Sequence, residues 1–243
     1  MLNLYFLGTG AADWQQPEPS GEFRHYTSLL IDGRILVDCA KDNTFSGQPE
    51  AVLITHSHSD HYCAERIAQL QPKAVWAHES WADDARAEGL PVRAAKFGEW
   101  IDLGKCLRAL PLPANHSTAR EYEQASGYLF EKEGLRFLYM TDSAWIPRSA
   151  SNLIGKEPLD AIALDATIGP EFPDDWRVFE HTSAEMAGVM VRSLLKSGRL
   201  RPNAPVFLTH MARTLWPGQS VAERMVEKPF VVCFDGMQAS LTK

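Results

Sequence analysis

Short apolar runs separated by turn residues recur along the chain and predict a protein with many β-strands. Most of these runs are rich in Val, Ile, Leu and Phe, which favour strands, and Gly, Pro, Asn or Asp often stands between them. The predicted strands are residues 2–7, 27–31, 34–38, 51–55, 74–77, 107–112, 126–131, 135–140, 160–164, 205–209 and 229–233.

Patterns typical of helices are fewer. Residues 62–70 predict one helix directly after a strand, and residues 80–89 predict a second that begins at a serine and ends at a glycine. A third is predicted from Thr182 to near Gly198, because Thr182 and Glu185 have the spacing of a capping box. Strands that lead into helices twice along the chain indicate the α/β class, with paired sheets covered by helices on their outer faces.

Length and composition predict one domain over residues 1–243. With 243 residues, of which 45% are hydrophobic, the chain can bury a large core and lies within the range of a single α/β sandwich. Its net charge of −7 and the lack of a basic block argue against unaided binding of nucleic acid. Composition does not decide between a monomer and a homodimer.

Cysteine usage and the N-terminal sequence predict a cytoplasmic location. The start of the chain lacks the features of a secretory signal, and no apolar run approaches the length that spans a membrane. The cysteines are scattered without a paired spacing, which favours free thiols in a reducing compartment. They are Cys39, Cys63, Cys106 and Cys233.

Residues 55–61, Thr-His-Ser-His-Ser-Asp-His, concentrate imidazole and carboxylate groups between a predicted strand and a predicted helix. His56 and His58, two residues apart, are placed to hold one metal ion. Asp60 and His61 are placed to hold a second ion a few ångströms away. A lone His-x-His is usually accidental, and a solvated polar turn is the alternative, but four such residues in a strand-to-helix turn favour a two-metal hydrolytic site.

The pattern His-x-His-x-Asp-His resembles that of the metallo-β-lactamase superfamily, and the resemblance implies further ligands at later strand ends. It implies His116 for the first ion, Asp142 as a carboxylate bridging both ions, and His210 for the second ion. Segments 4–10 and 35–39 also match the family's opening hairpin, so the likeness spans nearly the whole chain. The implied fold is a four-layer αββα sandwich. The implied cofactor is two divalent transition metal ions, Mn²⁺ or Zn²⁺, since ligands without thiolate suit both.

Two catalytic residues follow from the same resemblance. His181 stands just before the predicted cap, where a helix N-terminus favours a neutral imidazole and attracts an anionic substrate. In the ribonuclease Z and cyclic phosphodiesterase branches of the superfamily, a histidine in this place contacts the scissile phosphate, and in ribonuclease Z an acid on the preceding strand supports it. Asp165 is the corresponding acid here. The implied reaction is attack of a metal-bridging hydroxide on phosphorus with His181 as general acid, and Asp60 is counted with the catalytic groups as well as the ligands.

Within this branch, the chain resembles the phosphoribosyl cyclic phosphodiesterase of phosphonate catabolism more closely than ribonuclease Z. The segment between His116 and Asp142 is too short for the tRNA-grasping arm of ribonuclease Z. The loop 11–23 lacks the cysteines, and Arg213 replaces the histidine, that hold a structural zinc in the cyclic phosphodiesterase, so that zinc is expected to be missing. The predicted substrate is therefore a small or cyclic phosphodiester, without a commitment to the relative's own substrate. The similar segments are 112–117, 127–129, 141–147 and 234–237.

The sequence leaves an alternative function and the roles of several residues undecided. Hydrolysis of a carboxylic ester, lactone or thioester in the same site is the alternative function. A non-catalytic binding protein is disfavoured because every expected ligand is present. The resemblance implies that Asp38 orients a ligating histidine. The sequence does not decide whether Arg24, His25 or Arg213 contacts the substrate.

Overall fold

The computed structural model describes residues 1–18 and 21–243, so residues 19 and 20 of the predicted loop 11–23 lie outside the described part. Within the described residues, two seven-stranded sheets pack against each other. In chain order the strands are β1 (Leu2–Gly8), β2 (Ser28–Ile31), β3 (Ile35–Val37), β4 (Ala51–Leu53), β5 (Val75–His78), β6 (Val92–Ala95), β7 (Ile101–Asp102), β8 (Leu107–Pro113), β9 (Ser126–Lys132), β10 (Leu135–Met140), β11 (Ala161–Asp165), β12 (Val206–Thr209), β13 (Phe230–Val232) and β14 (Gln238–Leu241).

Helices cover the outer faces of both sheets, which confirms the predicted αββα architecture. The first sheet has the order β14-β1-β2-β3-β4-β5-β6 and the second has the order β13-β12-β11-β10-β9-β8-β7. No helix among the described residues has the length and apolar character needed to cross a membrane. The helices are α1 (Ala64–Leu70), α2 (Ala82–Ala87), α3 (Arg148–Ile154), α4 (Ala184–Lys196) and α5 (Gln219–Met225), with a short 3₁₀ helix at Trp176–Phe179.

Alternation of side chains along the strands divides the core into layers. In β10, Phe137 and Tyr139 point into the core between the sheets, whereas Leu138 and Met140 pack under the helices of the second sheet. All four side chains are buried, because a central strand covered on both faces has no solvent side. This explains why the sequence of β10 reads as a continuous apolar run.

The second helix begins later than predicted. It starts at Ala82 rather than Ser80, because the Ser80 hydroxyl is engaged elsewhere. Its Oγ lies 2.9 Å from Nδ1 of His78 and accepts a hydrogen bond from the Gln124 amide at 3.0 Å. The predicted first helix likewise begins two residues late, at Ala64.

The predicted capping box at the third helix is also wrong by one residue. Ser183 caps α4, and its Oγ accepts a hydrogen bond from the Met186 amide at 3.1 Å. Thr182 instead donates its hydroxyl proton to the Ser143 carbonyl at 2.7 Å. His181 therefore stands two residues before the cap of α4, not directly before it.

The chain does not end its fold with the strand predicted at 229–233. That segment forms β13, at the edge of the second sheet, and β14 follows it. β14 pairs antiparallel with β1, with Leu2 opposite Leu241, and so forms one edge of the first sheet. Its alternating exposed and buried residues lack the apolar run that marks the central strands.

Parallel pairing brings the carboxyl ends of neighbouring strands to one edge of each sheet. In the second sheet, β10, β11 and β12 run parallel, so Asp142, Asp165 and His210 lie side by side at or just beyond their ends. In the first sheet, β3 and β4 run parallel and place Asp38 beside the turn that starts at Thr55.

Three of these strand-end residues have a left-handed backbone. The φ angles are 58° at Asp38, 45° at Asp142 and 59° at His210. Side chains other than glycine rarely adopt this region, and such conformations persist where the surrounding structure holds them, often at functional sites. Their coincidence at one edge marks the place where the predicted ligands meet.

Candidate metal centre

Three histidines bring ring nitrogens together at this edge. His56 and His58 come from the turn after β4, and His116 comes from the loop after β8. Nε2 of His56 lies 3.0 Å from Nδ1 of His58, and Nε2 of His116 lies 3.2 Å from the same Nδ1. Tetrahedral zinc bonds of about 2.0–2.1 Å separate two ligand nitrogens by about 3.3 Å, so the spacing fits one ion.

A second group forms beside the first. Nε2 of His61 lies 3.2 Å from Nε2 of His210. Oδ2 of Asp60 is 3.4 Å from the His61 nitrogen and 3.5 Å from the His210 nitrogen. Asp60, His61 and His210 can thus meet at one ion, while His61 also lies within reach of His56 and Asp142. The division of the ligands between two ions stays a prediction.

Asp142 lies between the two groups. Its Oδ2 is 2.6 Å from Nε2 of His61 and 3.1 Å from Nε2 of His210, and its Oδ1 is 3.7 Å from Nε2 of His116. Oδ2 is buried and has no hydrogen-bond partner among the described residues. Because a buried carboxylate oxygen without a partner is costly, its position among ring nitrogens suits a shared cation. The cluster therefore fits two divalent ions.

Burial favours the neutral form of the three histidines in the first group. It lowers the pKa of His56 well below its ordinary value, and it also lowers the pKa of His58 and of His116. Burial alone would raise the pKa of Asp142, but the surrounding histidines hold it well below its usual range. Neutral imidazoles and an ionised carboxylate are the forms that bind metal.

Oxygen atoms behind the rings orient the histidines. Oδ2 of the fully buried Asp38 lies 2.8 Å from Nδ1 of His61, in agreement with the role implied for it. Thr55 donates its hydroxyl proton to Asp38, so its Oγ1 can accept the Nδ1 proton of His56 at 3.0 Å. These bonds leave Nε2 of both rings free for a ligand.

The later histidines have comparable partners. Thr167 donates its hydroxyl proton to the His210 carbonyl at 3.0 Å, so its Oγ1 can accept the Nδ1 proton of the same residue at 2.8 Å. Nδ1 of His116 lies 3.3 Å from the Glu180 carbonyl oxygen. Thr55, Thr167 and Glu180 are not among the predicted site residues, although each stands next to or near one of them in the chain.

His181 forms a close pair with Asp165. Its Nδ1 lies 2.8 Å from Oδ2 of Asp165 and 3.4 Å from Oδ1 of Asp142. Burial lowers the pKa of His181, but Asp165, with Asp142 and Glu180, raises it overall to about 9. This direction is opposite to the expected preference for a neutral ring, because a carboxylate in hydrogen-bond contact outweighs the partial charge of a helix terminus.

A cavity of about 450 Å³ opens over the cluster. His181 lines it, and the Nε2 atom of this ring has no hydrogen-bond partner among the described residues. Arg177 is the one Lys or Arg among the described lining residues, and its Nε lies 3.5 Å from Asp175. The 3₁₀ helix after β11 thus contributes a cation that sequence analysis did not single out. The other lining residues are Ala11, Ala12, Asp13, His58, Asp60, His116, Asp142, Thr167, Glu180, His210, Ala212 and Thr214.

The residues left open by the sequence lie outside the cavity lining. Arg24 is buried and donates to Oγ1 of Thr9 and to the Cys233 carbonyl, both at 2.8 Å. Its guanidinium therefore links the loop after β1 to the segment after β13. His25 lies 3.3 Å from Asp42. The Arg213 amide donates to Oδ1 of Asp13 at 2.8 Å, which ties that loop to the segment after β12.

Two neighbouring groups of imidazole and carboxylate side chains at the strand ends of a four-layer sandwich are the arrangement of a metallo-hydrolase. The family model for the Beta-lactamase superfamily domain matches residues 33–211, and the chain belongs to this family of metal-dependent hydrolases. No curated protein matches the sequence.

Solved structures share this fold at low sequence identity. A diphosphatase from the PhnP family superposes with a TM-score of 0.71 at 18% identity, covering 100% of this chain and 98% of that one. Human tRNase Z, short form, gives 0.69 at 16% identity, covering 99% and 100%. An isothiocyanate hydrolase from Delia radicum gut bacteria gives 0.65 at 15% identity, covering 99% and 100%. At these identities the likeness concerns the fold alone.

Proposed function

We propose that this metallo-hydrolase cleaves a small or cyclic phosphodiester. The observation that carries the proposal is the pair of His181 and Asp165, joined at 2.8 Å beside the ligand cluster. A departing alkoxide needs a proton, and a histidine held by a carboxylate at the edge of the site can supply it. In the proposed ligand set, one ion would be held by His56, His58 and His116 and the other by Asp60, His61 and His210. Asp142, which lies near both groups, would serve both ions.

The groups around the cavity have separate roles in the proposed reaction. When bound, two divalent cations would neutralise phosphoryl charge and lower the pKa of the attacking water. Asp165 holds the Nδ1 proton of His181, so that Nε2 is the atom that donates to the leaving oxygen. Arg177 lines the same cavity and supplies positive charge for a non-bridging phosphoryl oxygen.

The names of the structural neighbours support phosphorus chemistry only in part. Two of these neighbours are named as a diphosphatase and a tRNase, whereas the third is named as an isothiocyanate hydrolase. Because one fold supports several reactions, the choice between a phosphodiesterase and another hydrolase depends on the residues of the site. A hydrolase of carboxylic esters, lactones or thioesters would have less need of a proton donor in the place of His181.

A substrate panel tests the proposal. The protein, reconstituted separately with Mn²⁺ and Zn²⁺, is assayed on bis(p-nitrophenyl) phosphate, cyclic nucleotides, a lactone and a thioester. Turnover of the phosphodiesters is expected. Turnover confined to the lactone or thioester would establish the alternative hydrolase, and silence on every substrate would favour a binding protein. Less than one equivalent of bound metal after reconstitution would contradict both the phosphodiesterase and the alternative metal-dependent hydrolase.

A further inference from the structure

Glu123 is a buried carboxylate that lies outside the proposed ligand set. Its side chain is 0% exposed. Oε1 accepts a hydrogen bond from the Ser57 amide at 2.7 Å, and Oε2 accepts one from Oγ of Ser57 at 2.5 Å. Its other close partner is Arg120, at 3.4 Å. Since burying a carboxylate is costly unless it is hydrogen-bonded, both oxygens are committed mainly to one residue.

That residue stands between two proposed ligands. Ser57 follows His56 and precedes His58 in the turn after β4. Bonds to both the amide and the hydroxyl of Ser57 restrain its backbone and its side chain together. The carboxylate therefore fixes the part of the turn that sets where the rings of His56 and His58 point.

The loop that carries Glu123 also carries His116. Within this loop the Glu123 amide donates to the Arg120 carbonyl at 3.1 Å, and Thr118 Oγ1 donates to the same carbonyl at 2.8 Å. At its other end, the Asn115 amide donates to Oγ of Ser143 at 2.9 Å. The loop is thus held in shape between His116 and Glu123.

We propose that Glu123 is a positioning residue for the first metal group. By holding Ser57, it fixes the turn of His56 and His58 against the loop of His116 and so sets the affinity of these three histidines for a divalent ion. The inference rests on the ligand set of the proposed function. The second group has other supports, since Asp38 holds His61 and Thr167 holds His210.

If Glu123 positions the first metal group, its loss should weaken metal binding by that group alone. A general structural role would weaken both groups. The experiment titrates Co²⁺ into metal-free protein and follows the visible absorption that reports coordination. An Asp60→Ala background leaves the first group to be measured, and a His116→Ala background leaves the second. Glu123→Ala is then added to each background.

In the Asp60→Ala background, we expect Glu123→Ala to weaken Co²⁺ binding by about 10- to 100-fold, the usual effect of losing an outer partner. In the His116→Ala background the affinity should be unchanged. Glu123→Gln should bind almost as the parent does, because its amide oxygen still accepts from the Ser57 amide and its NH₂ can donate to Ser57 Oγ.

A matched control and a second variant keep the test decisive. Glu121→Ala removes the same charge from an exposed position in the same loop and should change neither affinity. If Glu123→Ala fails to fold, Ser57→Ala, which removes only the hydroxyl bond, should still weaken the first group several-fold.

Equal weakening of both groups, or no weakening by Glu123→Ala and Ser57→Ala, would overturn the positioning role. Failure of both backgrounds to bind Co²⁺ with Glu123 intact would instead overturn the ligand set, and with it the proposed function.

Discussion

At the scale of single residues, the oxygens behind the rings determine which nitrogen of each histidine faces the metal centre. Asp38 accepts from His61, and Thr167 can accept from His210, both through Nδ1. The carboxylate behind His181 is Asp165, and there the free Nε2 belongs to a ring outside the proposed ligand set. A carboxylate bound to Nδ1 thus orients a proposed metal ligand at His61 and a proposed proton donor at His181.

His181→Ala should lower turnover of an alkyl phosphodiester by about 10²- to 10⁴-fold, because the poor leaving group needs a proton. The loss on a p-nitrophenyl diester should be much smaller, since that group departs without protonation. Steady-state kinetics on both substrates, with metal content measured in parallel and expected to be unchanged, give the ratio of the losses. Equal losses would make His181 a charge or orientation contact, and no loss on either would remove it from the site and revive the ester-hydrolase alternative.

Single substitutions of the proposed ligands should separate the two ions. His58→Ala should loosen one ion and Asp60→Ala the other, and each should abolish activity. Asp142→Ala should lose both ions, because its carboxylate lies between the groups. Titration calorimetry measures the number of tightly bound ions. Two tight ions in the Asp142 variant would contradict a bridging role.

At the scale of elements, the sequence predicts best where burial on both faces gives a strand an unbroken apolar run. β10 and β12 are such strands, and Asp142 and His210, just beyond their ends, lie in the cluster as expected. The strands β6, β7 and β14 and the helices α3 and α5 are missed because their exposed positions dilute the pattern. Arg177 and Glu123 stand near predicted site residues in the chain but belong to no recognisable motif, and only the fold shows that Arg177 lines the cavity and that Glu123 is bonded to Ser57.

The displaced cap of α4 leads to a stability prediction. Ser183→Ala should lower the free energy of unfolding by about 0.5–2 kcal/mol, because the Met186 amide loses its acceptor. Ser193→Ala, at an exposed position inside the same helix, is the matched control and should cost nothing, since alanine favours helices. Denaturant unfolding of both variants measures the difference. A cost for Ser193→Ala as large as that for Ser183→Ala would count against the cap.

At the scale of the molecule, each proposed ion joins the two sheets. The first group combines His56 and His58 from the first sheet with His116 from the second. The second group combines Asp60 and His61 with His210 in the same way. A metal ion bound to such a group links strand ends that no chain connection brings together directly. That residues 1–243 form one domain stays a prediction, and this cross-linking is one reason to expect it.

Removal of metal should therefore destabilise the whole sandwich rather than one loop. An ion at about 100 times its Kd stabilises the folded state by about 2.7 kcal/mol. At about 2–4 °C per kcal/mol for a chain of this size, each ion lost should lower Tm by about 5–11 °C. Thermal unfolding followed by circular dichroism, before and after chelation and again after Zn²⁺ or Mn²⁺ is restored, measures the effect. Asp142→Ala provides the control, because a variant that no longer holds the ions should respond little to the chelator. A Tm that chelation leaves unchanged in the unsubstituted protein, with metal loss verified by elemental analysis, would show that the ions do not hold the sheets together.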